Sequence, residues 1–163
     1  MFQKTIMAAV LVAVANAPMF AQNAHELKSR TRFGRLELDD QNMLTFNGHR
    51  LDPPIQPGFG MDLSEPYRFG ATDVVLVTKI GGTACPVLYY FVSVTESGAH
   101  ATRPVGTCNQ ATSIERRGDS IALTMHGFLE PFEPEEQRRK AFQDAHVLIF
   151  RNGAITDNGK PVR

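Results

Sequence analysis

The fold is decided by Asp73–Cys108, which reads DVVLVTKIGGTACPVLYYFVSVTESGAHATRPVGTC. Val74–Ile80 and Val87–Val94 are the two most strand-like runs in the chain, rich in β-branched and aromatic residues. GGTACP separates them: Gly81 and Gly82 permit a sharp reversal and Pro86 ends the turn. Val74-Val75-Leu76-Val77 is apolar at every position. A half-exposed strand would alternate, so this unbroken run predicts a strand buried on both faces. In the second run Leu88, Tyr90, Val92 and Val94 share one face, and Val87, Tyr89, Phe91 and Ser93 share the other. Glu96-Ser97-Gly98 then reads as a turn, with Ala99–Arg103 returning as a short edge strand before Pro104.

Downstream, Ser113–Arg117 and Ser120–His126 flank Gly118-Asp119. Ile121, Leu123 and Met125 alternate with Ala122, Thr124 and His126, so Met125 is expected in the core and His126 outside it. From Pro134 the period changes to that of a helix running through Phe142, with Pro134 at its first position and Glu135/Arg139 and Glu136/Lys140 as i,i+4 pairs. Its apolar stripe is thin (Ala141, Phe142, Ala145), so it is expected to pack only by its last turns. Val147–Phe150 and Ala154–Thr156 form a closing hairpin around Asn152-Gly153, followed by a polar tail over Asp157–Arg163.

Upstream, Phe33–Leu38 is strand-like, Asp39–Asn42 is a turn cluster, and Asn47-Gly48 makes a second hairpin between Met43–Phe46 and His49–Leu51. Asp52–Pro66 holds four prolines and two glycines and reads as a long surface loop. Phe59 and Met61 within it either fold back over the core or meet a partner. The fold class that emerges is mainly β: an antiparallel sandwich or barrel-like sheet of about eight short strands with one short α-helix near the C-terminus.

The N-terminus bears on location. Lys4, the apolar stretch Ile6–Ala17 and the small residues that follow have the three-part pattern of a secretory signal peptide over residues 1–23, with cleavage between about 21 and 24. Residues 24–163 are then a single all-β domain, exported to the periplasm or secreted, with no stable membrane insertion. In an oxidising compartment the only two cysteines, Cys85 and Cys108, are expected to pair. With 17 basic and 17 acidic residues the chain offers no electrostatic footprint for nucleic acid.

No G-x-S-x-G, S-x-x-K, H-E-x-x-H, phosphate loop or dinucleotide-binding glycine pattern is present. His25, His49, His100, His126 and His146 are scattered, so neither a metal site nor a cofactor is expected. A pair of wall-cleaving carboxylates would meet only in the fold, and the absence of Trp leaves few platforms for stacking sugars.

GGTACP and GTC (Gly106–Cys108) resemble the core of a group of small exported proteins of Gram-negative bacteria that share a strand–GGxACP–strand–GTC unit and mostly lack an assigned activity. The resemblance covers about the middle third of the chain and implies location and fold more than function. The Trp-rich motif of the periplasmic C-type lysozyme inhibitors and the Cys-bounded loop of the vertebrate-lysozyme inhibitors are both missing. The reading that results is a binding domain rather than an enzyme. Its expected partner is another protein, as for an inhibitor or immunity protein facing an envelope-directed enzyme or toxin, with Phe59, Met61, Glu96, Ser97 and His100 as contact candidates. A small-ligand or envelope-stress sensor and a wall glycan hydrolase are the alternatives.

Overall fold

The structure is a computed structural model that describes residues 27–162; the expected signal peptide lies outside them. Its strands are β1 (Lys28–Arg30), β2 (Arg35–Leu38), β3 (Leu44–Phe46), β4 (His49–Arg50), β5 (Gly60–Leu63), β6 (Tyr67–Phe69), β7 (Thr72–Ile80), β8 (Val87–Thr95), β9 (Gly98–Ala101), β10 (Val105–Cys108), β11 (Ser113–Arg117), β12 (Ser120–His126), β13 (Ala145–Arg151), β14 (Ala154–Asp157) and β15 (Lys160–Pro161). The helix α1 spans Glu135–Gln143. All pairings are antiparallel.

β7 and β8 form the central hairpin, in register from Asp73↔Val94 to Ile80↔Val87. They anchor a six-stranded sheet in which β5 and β6 flank β7, and β9 and β10 flank β8. A four-stranded meander, β1 to β4, covers one face, and a five-stranded meander, β11 to β15, covers the other. The result is a three-layer sandwich, and the sheets do not close into a barrel.

The unbroken apolar run explains the middle layer. Val75, Val77, Tyr90, Val92 and Val94 pack with Leu36, Leu44, Leu51, Ile55, Met61 and Leu63 in one core. Val74, Leu76, Tyr89 and Phe91 pack with Ile121, Leu123, Met125, Leu148, Phe150 and Ile155 in the other. Each such side chain contributes about 1.5–3 kcal/mol by leaving water. In the second core the rings of Phe91 and Phe150 stack, with centroids 4.5 Å apart. Cys85 and Cys108 are bonded, tying the β7–β8 turn to β10.

Several expectations are corrected. Among the described residues the strand segments number fifteen rather than about eight, because several short ones carry no periodic signal. Lys28–Arg30, which carries no strand signal of its own, pairs with β2, and the Ser29 hydroxyl donates to Ser64 O at 2.8 Å. The polar tail turns back as β15, with Val162 N–H donating to Ile155 O. The Asp52–Pro66 stretch is only partly a loop, since Gly60–Leu63 joins the central sheet through β7. Pro134 sits just outside the helix as its N-cap. His126 is half-buried rather than exposed, because the Phe142 ring stacks over it at 4.4 Å.

Candidate functional site

The arm Asp52–Leu63 sets out two of the sequence candidates in opposite ways. Met61 lies in β5 and is buried at 3 % exposure, so it fills the first core. Phe59 precedes β5 and is 85 % exposed. Its position is nevertheless fixed: Phe59 N–H donates to Ile80 O at 2.9 Å. Gly58 makes that approach possible, since a Cβ there would meet Ile80 O at 2.1 Å. Leu27 and Ile80 are also exposed, and together with Phe59 they line a shallow groove of about 260 Å³.

His100 belongs to a different place. It lies on β9 at the mouth of a cleft of about 820 Å³, bounded by Pro53–Gln56, the β9–β10 connection and the β14–β15 hairpin. Ile55, Tyr90, Val105 and Ile155 are buried at its floor; Gln56, His100 and Arg103 are exposed at its rim. No Asp or Glu lines it. Burial pushes the Tyr90 phenol above its ordinary value, and no hydrogen bond offsets that shift. The neighbouring Tyr89, by contrast, accepts a hydrogen bond from Ala111 N–H at 2.7 Å. Glu96 and Ser97 form the exposed β8–β9 turn and line neither groove nor cleft. The sequence candidates therefore fall on three separate surfaces.

Tyr90, Arg103 and Ile155 were not singled out by sequence reasoning. The one signal available was Tyr90 itself: a phenol on an inward face needs a partner for its hydroxyl. Nothing local brings Pro53–Gln56 beside Ile155.

Two ion pairs elsewhere join elements of the fold. Asp73 is fully buried and receives Arg32 N–H at 2.7 Å and Arg32 Nε–H at 2.8 Å. Burial raises its carboxyl, but the Arg32 hydrogen bonds and charge outweigh that and hold it below the usual carboxylate range. His146 Nδ1 meets Asp157 Oδ2 at 2.8 Å, joining β13 to β14. Among the described residues, no group of three or more His, Cys, Asp or Glu is placed to hold a metal ion. No helix among them is long and apolar enough to cross a membrane. The disulfide is the kind of cross-link that persists outside a reducing cytosol. No protein-family model, curated protein or solved structure matches the chain.

Proposed function

We propose that this chain is an exported, non-catalytic binding domain that engages another protein, in the manner of an inhibitor or immunity protein directed at an envelope enzyme or toxin. The observation that carries the reading is Phe59: a large aromatic side chain, 85 % exposed, on a backbone pinned to β7. Aromatic anchors dominate binding energy at protein interfaces. An anchor already held in place loses little conformational freedom on binding. Leu27 and Ile80 widen the apolar surface around it, and burying a phenylalanine contributes about 1.5–3 kcal/mol. The signal-like segment 1–23 and the disulfide support a periplasmic or secreted location.

The test uses the exported, oxidised protein as bait in periplasmic extracts and in extracts of competing bacteria. The expected result is one stoichiometric enzyme or toxin whose activity falls on binding, with capture lost on Phe59→Ser. Capture of the same partner at undiminished affinity by Phe59→Ser overturns the assignment of the anchor. No partner at micromolar bait overturns the protein-binding reading itself.

A further inference from the structure

We propose that the cleft between the Pro53–Gln56 segment, the β9–β10 connection and the β14–β15 hairpin binds a small apolar monocarboxylic acid, with its hydrocarbon body on the floor and its carboxylate at Arg103. The cleft and the Phe59 groove share no lining residue, so this inference stands apart from the protein-binding reading.

Size comes first. At about 820 Å³ the cleft lies within the ~300–1,000 Å³ of small-ligand sites, which are mostly apolar with a few placed polar groups. Ile55, Tyr90, Val105 and Ile155 supply the apolar floor.

Charge comes second. Among the described residues lining the cleft, Arg103 and His100 are the basic ones, and none is Asp or Glu. Arg32, Arg35, Arg50, Arg117 and Arg151 are each held by a carboxylate of this chain. Arg103 has no such partner among the described residues. An unpaired guanidinium at the mouth of an apolar cleft is complementary to one carboxylate, which it can hold through two parallel hydrogen bonds. Tyr90 adds a phenol at the floor of the cleft, a further hydrogen-bond donor.

Thr102 N–H donates to Phe91 O, Val105 is in register with Tyr89, Ala101 with Val92, and Val162 N–H donates to Ile155 O. These bonds hold the walls of the cleft to neighbouring strands, while β9, β10 and β15 each pair on one side only among the described residues.

Isothermal titration calorimetry of the exported, oxidised protein with decanoate, decanol and decylamine tests the proposal. Decanoate should bind, decanol about ten-fold more weakly for want of the charge-assisted bond, and decylamine more weakly still. Arg103→Gln should bring decanoate down to the level of decanol and leave decanol unchanged, whereas Arg117→Gln should alter neither. Equal binding of decanoate and decanol, or no binding of either at millimolar concentration, overturns the proposal. So does an acidic apolar peptide that displaces decanoate at lower concentration, which would assign the cleft to a protein segment. If Arg103→Gln does not fold, amide shift mapping of the wild-type protein decides. Decanoate-dependent shifts at Tyr90, Thr102, Arg103 and Ile155 support the site, and shifts confined to other regions overturn it.

Discussion

The two faces of the central sheet are buried to the same depth by different means. Toward β11–β15 the contact is regular: alternate residues of β12, β13 and β14 meet alternate residues of β7 and β8, and Phe91 stacks on Phe150. Toward β1–β4 the cover is patched from short strands and loop residues, with Leu51 and Ile55 filling space that no strand fills. That side is also tied by an ion pair, Arg32 to the buried Asp73 at the start of β7. A long periodic strand can bury a face by itself. Short, proline-rich pieces need specific polar fastenings to hold them there.

The comparison is open to test by unfolding measurements. The largest effect is expected on the regular side. Phe91→Ala removes a fully buried ring and its stack on Phe150 and should cost about 4 kcal/mol by urea denaturation. Met61→Ala, on the patched side, should cost about 2 kcal/mol, because looser surroundings collapse more readily around the lost volume. A larger loss for Met61→Ala than for Phe91→Ala would break the distinction.

Next comes the bridge. Replacing both Cys85 and Cys108 by Ser releases a loop of 23-residue separation and should cost about 3 kcal/mol, or less where the unfolded chain keeps structure. Its loss should loosen β10 and the β7–β8 turn, read as faster amide exchange there and slower change in β2 and β3. Uniform acceleration through all three layers would show that the bridge does not act locally.

The ion pair comes last, with an effect no larger than that of Met61→Ala. Asp73→Asn should cost about 2 kcal/mol at neutral pH, less than a fully buried pair because the Arg32 side chain is 39 % exposed. Because folding lowers the Asp73 carboxyl below its ordinary value of 3.8, its contribution is complete above that value. It is lost as pH falls through the folded-state value. The gap between wild type and Asp73→Asn should therefore close in acid and stay constant from pH 5 upward. A gap that grows in acid would contradict the assignment.

Much of this was legible because it is local. The two apolar runs, the Asn-Gly hairpins at Asn47-Gly48 and Asn152-Gly153, and the charged helix each carry their signal within a few residues. The Cys85–Cys108 bridge followed from there being two cysteines and an expected exported setting. β1 and β15 escaped notice because they are short and polar, and only their neighbours make them strands.

Phe59 and Met61 mark the boundary most clearly. Two positions apart, they would share a face if both were in one strand. Pairing with β7 begins only at Gly60, so Met61 is turned into the core while Phe59 is left outside it. The sequence by itself determined that a doubly buried β-hairpin lies at the centre, because burial on two faces requires an unbroken apolar run. It could not determine what covers each face, nor that Pro53–Gln56, Arg103 and Ile155 surround one cleft. Those are contacts between segments far apart in the chain, and only the packing of three sheets sets them.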